Sequence, residues 1–267
     1  EVKRRVLDRL GTAQVLGAMS DLAFQKGDLA GAQRFASEQW KLAQEIRAAL
    51  VSAAALQRQG RLQIATGDLA GGRERLSGAL QLADERRAVL LGNEIRLDLA
   101  RLDLFAGQPA EAERLAGEVV QWYGQRGLAS DQARALAVRS MALLALGRQG
   151  AASEAASQAA ALAQASESSD LQIFVTTAGA PAGASSSPAV ALERLREAVA
   201  RADQLGFVTA GLEARLALGS LELATGRKDA GRATLEELCR IAGSKGHKGL
   251  AQRAEQALAG TPQKRQG

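Results

Sequence analysis

The sequence has few of the residues on which disulfides, metal centres and many catalytic devices depend. Its 267 residues include one cysteine, Cys239, and one histidine, His247. A single cysteine excludes a disulfide within the chain, and the two residues together are too few for a Cys/His zinc site. We therefore expect no metal and no cofactor. His247 lies at a corner rich in glycine and lysine, and we interpret it as a surface histidine and Cys239 as a small apolar helix residue.

Aromatic residues, prolines and long apolar runs are also scarce. Aromatics make up 3% of the sequence and there are 4 prolines, while strand-like runs of Val, Ile, Thr and aromatics are almost absent. No stretch approaches the roughly 20 apolar residues of a membrane-spanning helix. The apolar content is largely alanine and leucine, which favours closely packed helices. The composition therefore predicts an all-α protein, for which a cytoplasmic location is the default expectation.

The charge pattern lacks a basic block. The formal net charge is +5, but acidic residues are interleaved with the arginines, as in the stretch from Glu111 to Arg114. Such interleaving is typical of a solvated helical face with ion pairs between successive turns. It gives little support to nucleic-acid binding, which would favour a continuous basic surface.

What the sequence does contain is a repeat of forty residues. The stretch Gly-Asp-Leu-Ala-Gly at residues 27–31 returns unchanged at residues 67–71, and related turn sequences follow at the same or nearly the same spacing. A fixed period of this length is the signature of a repeat array, in which neighbouring units stack to bury their apolar faces. The glycine ends one helix, and Asp28 and Asp68 are predicted to cap the next.

The repeat predicts a single domain over residues 1–260, built as an α-solenoid of about six helical hairpins. A last helix is expected to cover the open end of the array, and the polar tail is expected to be disordered. The predicted repeats lie near residues 8–46, 47–86, 87–126, 127–166, 167–205 and 206–246, with the capping helix at 248–258 and the tail at 261–267.

The fifth repeat interrupts the regular pattern. Glycine, proline and serine are dense over residues 179–187, and these residue types end helices. We predict that the first helix of this repeat is short or frayed and that a mobile loop of about ten residues follows it. The next helix, from Ala189 to Gln204, is strongly amphipathic and is predicted to be regular.

Alignment of the repeats places residues of one kind in the same column. Two columns of small residues would let the two helices of a hairpin approach closely; they are Ser20, Gly60, Ala100, Ser140, Ala180 and Gly219, and Ala32, Gly72, Ala112, Ala152 and Gly231, with Leu192 as the exception in the second column. Two columns of large apolar residues are predicted to be hydrophobic core; they are Phe24, Ile64, Leu104, Leu144 and Leu223, and Leu42, Leu82, Trp122, Leu162 and Ile241.

These paired helices, with small residues at their crossings, resemble the tetratricopeptide repeat (TPR) superfamily. The period of forty departs from the usual thirty-four, and the proline that often closes a repeat is missing. The longer unit is similar to the TPR-like regions of bacterial signalling proteins, such as regulatory ATPases, transcription activators and receptor-type kinases. In those proteins the array binds or senses and the chemistry lies elsewhere. The resemblance therefore implies a right-handed superhelix with no enzymatic activity of its own.

The resemblance also implies that the first helices of the hairpins line a concave groove. Arg61 and Arg101 share a column one repeat apart, and guanidinium groups bind carboxylates bidentately. We hypothesise that they meet acidic groups of a partner, the alternative being that they are ordinary solvated arginines. The residues expected to contact a partner are Gln14, Asp21, Gln57, Arg61, Glu94, Arg101 and Arg134, with Glu213 in the same column as Glu94 and Arg134.

Three functions follow from this interpretation, in order of preference. The first is a protein- or peptide-binding scaffold or a regulatory module of a larger bacterial signalling protein. The second is a domain that senses a small molecule and is coupled to a separate effector domain. The third is an RNA-binding helical repeat, which the interleaved acidic residues disfavour.

Overall fold

The computed structural model describes the backbone of residues 2–260 and the side chains of residues 8–260. This part of the chain forms thirteen α-helices and no strand. The helices are α1 (Val2–Gln25), α2 (Leu29–Glu45), α3 (Ala49–Thr66), α4 (Leu69–Glu85), α5 (Val89–Phe105), α6 (Pro109–Gly124), α7 (Ala129–Ala145), α8 (Gln149–Gln164), α9 (Ser169–Gly183), α10 (Pro188–Leu205), α11 (Val208–Ala224), α12 (Lys228–Ser244) and α13 (Lys248–Ala259).

Consecutive helices pack as hairpins, and the hairpins stack in chain order. Each odd-numbered helix also contacts the next odd-numbered helix, from α1 to α13, whereas no such contacts join the even-numbered helices of the described part. The odd-numbered helices therefore form the inner layer and the even-numbered helices the outer layer. The predicted all-α solenoid of helical hairpins is confirmed.

Local sequence signals set the turns within the hairpins. Gly27 and Gly67 adopt positive φ angles of 75° and 91°, a conformation that costs glycine little because it has no Cβ. The carboxylate of Asp28 then accepts a hydrogen bond from the Gly31 amide at 2.9 Å, and the Asp68 carboxylate does the same for Gly71. These capping bonds satisfy amides that would otherwise lack a partner in the first turn.

The small-residue columns meet where the two helices of a hairpin cross. The Ser20 hydroxyl donates a hydrogen bond to the Ala32 carbonyl oxygen at 2.9 Å, and Ser140 repeats this bond with Ala152 at 2.8 Å. In another hairpin, a Cβ added to Gly60 would lie 2.8 Å from a Leu76 side-chain carbon. The predicted close approach is therefore confirmed, because larger side chains would push the helices apart.

The predicted core columns lie beside the most deeply buried positions. Leu104 is half-buried and packs against the core, whereas Leu102 is 1% exposed. In the outer helices the fully buried residue comes one position after the residue of the predicted column, as Ala83 follows Leu82 and Tyr123 follows Trp122. The alignment of repeats identifies equivalent positions, but it does not say which apolar column faces the interior.

The fifth repeat differs from its prediction. Helix α9 runs unbroken through Gly179 and Pro181 as far as Gly183, so a helix occupies much of the predicted loop. Ala180 and Ala182 are buried against neighbouring helices, and the Gln149 amide donates to the Ala182 carbonyl oxygen at 2.5 Å. Tertiary packing thus outweighs the local helix-breaking tendency, and a short turn of residues 184–187 leads to α10.

The two ends of the solenoid meet. Helices α1 and α3 contact α11 and α13, and the Thr209 hydroxyl donates to the Phe24 carbonyl oxygen at 2.6 Å. A Cβ added to Gly249 would lie 2.5 Å from the Ile64 carbonyl oxygen, so glycine permits α13 to approach α3 this closely. The superhelix therefore closes around a central space. The predicted disordered tail, residues 261–267, lies outside the described residues.

A candidate binding site in the central cavity

Closure of the superhelix produces a central cavity of about 530 Å³. Side chains from α1, α3, α5, α7, α9 and α11 line it, so every hairpin contributes its inner helix. From the outer layer, the ring of Tyr123 on α6 reaches the cavity although its side chain is 1% exposed overall. We call this space the central cavity. The ionisable residues that line it are Asp21, Arg58, Arg61, Glu94, Asp98, Arg101, Asp131, Arg134, Asp170 and Glu213, with Tyr123.

Four ion pairs link inner helices around the central cavity, three between consecutive inner helices and one between α5 and α11. Every arginine that lines it is paired in this way, so each positive charge is offset by a carboxylate. The pairs are Arg58 with Asp21 at 2.7 Å, Arg61 with Asp98 at 2.7 Å, Arg101 with Glu213 at 2.6 Å, and Arg134 with Asp170 at 2.9 Å.

Two carboxylates are left over. Glu94 on α5 and Asp131 on α7 line the central cavity, and neither carboxylate forms an ion pair or a hydrogen bond with another residue of the described part. Desolvation, with the negative charges of Asp98 and Asp131, raises the pKa of Glu94 against the opposing influence of Arg61. This edge of the cavity therefore carries two carboxylates that have no ion-pair partner among the described residues, although Arg61 and Arg58 partly offset the charge of Glu94.

An aromatic ring lies between two of the paired arginines. The guanidinium carbons of Arg101 and Arg134 lie 5.2 Å and 5.0 Å from the centre of the Phe174 ring, which is within the range of a cation–π contact. Phe174 and Tyr123 give the cavity apolar surface beside its charges. Desolvation raises the pKa of Tyr123, so its hydroxyl remains protonated at neutral pH.

The structure brings five of the seven predicted contact residues to the central cavity, namely Asp21, Arg61, Glu94, Arg101 and Arg134. Gln14 is not among them, because it is exposed on α1 and that helix reaches the cavity only from Ser20 onward. Gln57 is 4% exposed and lies behind the wall, where its amide donates to the Asp98 carboxylate at 2.7 Å. Its place in the structure is to orient Asp98.

A second, smaller space lies at the junction where the chain ends meet. It has a volume of about 140 Å³ and shares a wall with the central cavity, formed by residues that include Arg61, Asp98, Arg101 and Glu213. Helix α13 contributes Arg253, whose guanidinium carbon lies 4.2 Å from the centre of the Phe105 ring. We call this space the seam pocket.

His247 lines the seam pocket and is not the surface residue that the sequence suggested. Its side chain is 0% exposed, and its ring centre lies 6.3 Å from that of Phe24 on α1. Neither ring nitrogen has a hydrogen-bond partner within the described part of the chain. Burial lowers the pKa of His247, opposed by Glu213 and assisted by Lys245. The corner looked exposed because its glycines and lysines are polar, but the closure of the solenoid covers it.

Several residues of these two spaces were missed from the sequence, among them the carboxylates of Asp98 and Asp131 and the side chains of Tyr123, Phe174 and Arg253. Tyr123 occupies a position that holds alanine in α2, α4, α8 and α12, and this difference was a usable signal. Phe174 was assigned to a helix expected to fray. No feature of the sequence pointed to Arg253, because the residues around it do not indicate that α13 meets α3 and α5.

Metal-binding clusters and membrane-spanning helices were both sought among the described residues. No cluster of three or more His, Cys, Asp or Glu side chains that could hold a metal ion occurs among them. None of their helices is both long enough and apolar enough to cross a membrane.

The sequence matches no protein-family model and no curated protein. Solved structures do match. A Rap protein complexed with competence and sporulation factor is similar with a TM-score of 0.62 at 10% identity, covering 87% of this chain and 77% of that protein. BtubC (BKLC) from P. vanneervenii has a TM-score of 0.52 at 18% identity, and the match covers 84% of this chain and 91% of BtubC. TPR-like repeats of a putative kinesin light chain from Podosopora anserina also match, with a TM-score of 0.48 at 20% identity. That match covers 70% of this chain and 92% of the repeat protein.

At these identities the likeness concerns the arrangement of helices. It agrees with the packing of the helices as stacked hairpins. The chain therefore has the fold of the TPR-like helical-repeat proteins.

Proposed function

We propose that this chain binds a short segment of polypeptide in the central cavity. The observation that carries the proposal is a cavity surrounded by the inner helices of all six hairpins, in which the carboxylates of Glu94 and Asp131 have no ion-pair partner among the described residues. A polypeptide segment offers the groups that this wall lacks, since its amino terminus or a basic side chain can pair with a carboxylate. Phe174 and Tyr123 offer apolar contact beside them.

The size of the cavity supports a small occupant. Its volume of about 530 Å³ falls within the range of roughly 300–1,000 Å³ that is usual for ligand pockets. A folded domain would not enter, and an α-helix with its side chains has a diameter of about 10–12 Å. A few residues in an extended conformation are therefore the favoured form of the ligand.

The charge balance supports a ligand with a positive group. Six carboxylates and four arginines line the central cavity, so a phosphate backbone would be repelled there, which disfavours RNA. The acidic partner expected at Arg61 and Arg101 would have to displace Asp98 and Glu213, which already hold these arginines. We therefore assign the first recognition contact to Glu94 and Asp131.

The structural neighbours provide a precedent for a bound partner. The Rap protein of similar fold was solved in complex with competence and sporulation factor. A binding role agrees with the absence of any catalytic constellation in the sequence, and we propose that the domain is not itself an enzyme. A regulatory role in a bacterial signalling protein is the wider context that we propose for it.

The test is retention of peptides by the purified chain. The protein is mixed with a pool of random pentapeptides and passed through a desalting column, and the retained peptides are identified by mass spectrometry. We expect retained peptides to be enriched in lysine, arginine or a free amino terminus. The double variant Glu94→Gln/Asp131→Asn should lower their retention about tenfold, because a charge-assisted hydrogen bond contributes about 1.5–3 kcal/mol.

The matched control is Asp229→Asn/Glu236→Gln, which removes two exposed carboxylates from α12 and should retain peptides as the wild type does. Failure of the wild-type chain to retain any peptide would overturn the proposal. Enrichment of acidic peptides that is lost in Arg61→Glu/Arg101→Glu would instead restore the earlier hypothesis of an acidic partner.

Sensing of a small molecule is the second candidate function. The enclosure of the cavity by contacts between the two chain ends favours it, because a ligand inside would touch helices from both ends and could alter how they meet. Retention of amines or amino acids from a metabolite mixture, with no retention of pentapeptides, would favour this function over peptide binding.

A further inference from the structure

We infer that the seam pocket is a second binding site, which takes a carboxylate carried on a short apolar tail. The inference goes beyond the proposed function, because the seam pocket has its own charge and its own lining. The carboxylate can belong to a free small acid or to the end of a peptide that occupies the adjoining central cavity. The experiment below separates these two sources.

The seam pocket carries one unmatched positive charge. Arg61, Arg101 and Arg253 line it together with Asp98 and Glu213. Arg61 pairs with Asp98 and Arg101 pairs with Glu213, which leaves Arg253 without an ion pair among the described residues. A guanidinium with no carboxylate partner is the group that binds a carboxylate bidentately.

Arg253 is also held in place and partly desolvated. Its guanidinium carbon lies 4.2 Å from the centre of the Phe105 ring, a cation–π contact that favours this position of the side chain. Burial lowers the pKa of Arg253, with Arg101 adding to this effect and Glu213 opposing it. An anion in the seam pocket would relieve this unfavourable burial of charge, and the free energy of binding would be correspondingly larger than at an exposed arginine.

His247 supplies the second and independent indication of a ligand. Buried polar atoms nearly always have a hydrogen-bond partner, yet both ring nitrogens of this fully buried side chain lack one among the described residues. A neutral imidazole has one N–H donor. A carboxylate oxygen in the seam pocket would accept from that donor while Arg253 holds the other oxygen.

The rest of the lining selects the kind of anion. Phe24, Ile64 and Leu250 supply apolar surface, which suits an alkyl tail and not a second charged group. A phosphate dianion would lie beside Asp98 and Glu213 with a single unmatched arginine to offset its charge, so it is disfavoured. The volume of about 140 Å³ corresponds to about four to five water molecules at roughly 30 Å³ each, which is enough for a carboxylate with two or three carbon atoms.

The first arm of the test uses propionate as a free acid. Thermal unfolding is followed in about 100 mM sodium propionate and, at equal ionic strength, in sodium chloride with propionamide, which has the same shape without the charge. We expect propionate to raise the unfolding temperature by at least about 2 °C, because a ligand that binds the folded state stabilises it. Sodium phosphate at equal ionic strength should give a smaller shift that Arg253→Gln leaves unchanged.

The second arm uses two pools of pentapeptides that differ only in a free or an amidated carboxyl terminus. If the carboxylate comes from a peptide in the central cavity, we expect at least about tenfold greater retention of the free pool, the effect of one charge-assisted contact. If the source is a free small acid, the two pools should be retained equally and the propionate shift should be present.

Arg253→Gln should abolish whichever effect the wild type shows. The matched control is Arg34→Gln, since Arg34 also lies over an aromatic ring, at 4.7 Å from the centre of Phe35, but lines neither space. If Arg253→Gln does not fold, Arg253→Lys keeps the charge without the planar fork and should reduce the effect.

The inference is overturned if wild-type protein shows neither the propionate shift nor a preference for free carboxyl termini. It is also overturned if Arg253→Gln keeps the full effect. Absence of all peptide retention together with a propionate shift would overturn the proposed function and support the seam pocket, so the two failures are distinguishable.

Discussion

The guanidinium of Arg101 and the carboxylate of Glu213 form an ion pair at 2.6 Å between residues that are 112 positions apart in the chain. The pair joins α5 to α11 across the space that the superhelix encloses. It belongs to the walls of both the central cavity and the seam pocket. A ligand in either space would therefore lie beside a contact that joins the third hairpin to the sixth across the enclosed space.

The first prediction concerns that pair. Both side chains are about one-quarter exposed, so its coupling free energy should exceed that of a surface pair and reach about 1 kcal/mol. A double-mutant cycle of Arg101→Met and Glu213→Gln, followed by urea unfolding, measures it. The control cycle on Arg240 and Glu237, an exposed pair within α12, should give about 0.5 kcal/mol or less. Equal coupling in both cycles would contradict a role in closure.

The second prediction concerns the crossing of α3 and α4. Gly60→Ala should lower the free energy of unfolding by about 1–3 kcal/mol, because its Cβ would lie 2.8 Å from Leu76 and 3.2 Å from the Gly72 carbonyl oxygen. Gly11 in α1 has no such neighbour within 4 Å. Gly11→Ala should therefore stabilise the protein by up to about 1 kcal/mol through helix propensity. Chemical denaturation of both variants checks the opposite signs.

The third prediction concerns a corner between two hairpins. Arg87 has a positive φ of 54°, a conformation that costs a residue with a Cβ about 1–2 kcal/mol. Its side chain is exposed, so Arg87→Gly should increase the free energy of unfolding by about 0.5–1 kcal/mol after the entropic cost of glycine is subtracted. Arg86→Gly, at a negative φ of −96°, should not stabilise. A loss of stability in Arg87→Gly would show that the arginine side chain contributes more than its strain costs.

The fourth prediction concerns His247 and pH. The pKa of this residue is lowered in the folded state, mainly by burial, from a value of about 6.5 in an unfolded chain. Below about pH 6.5 the unfolded state binds more protons, so the free energy of unfolding should fall as the pH falls, by at most about 1.4 kcal/mol per unit. His247→Phe should lose this part of the pH dependence. Urea unfolding of the wild type and the variant at pH 7.5 and 5.5 measures this contribution. An identical change in the free energy of unfolding between the two pH values in both proteins would falsify the attribution to His247.

The turns and the hairpins could be predicted because their causes are local. Gly27, Asp28 and the identical pair forty residues later determine where helices end and begin through a positive φ and a capping bond. The small residues at the crossings could also be predicted. A close approach of the two helices of a hairpin requires small residues at equivalent positions, so most repeats carry them.

The partners of the candidate site residues could not be predicted. The column of Arg61 and Arg101 placed both arginines on the inner face, but each meets a carboxylate on a different helix, Asp98 or Glu213. Whether an arginine is free or paired depends on the distances between helices, and the alignment of the repeats gives no such distances. Likewise, packing of Ala180 and Ala182 kept α9 helical where the local composition indicated a loop.

The sequence by itself determined the hairpin and its period, because capping, glycine turns and helix packing act within one repeat or between neighbours, whereas the side of each hairpin that faces inward was only implied by the family resemblance. The tertiary structure alone decided that the ends meet, that His247 is buried and that Arg253 reaches Phe105. Closure depends on the small rotation between successive hairpins accumulated over the whole array. No single repeat encodes that sum.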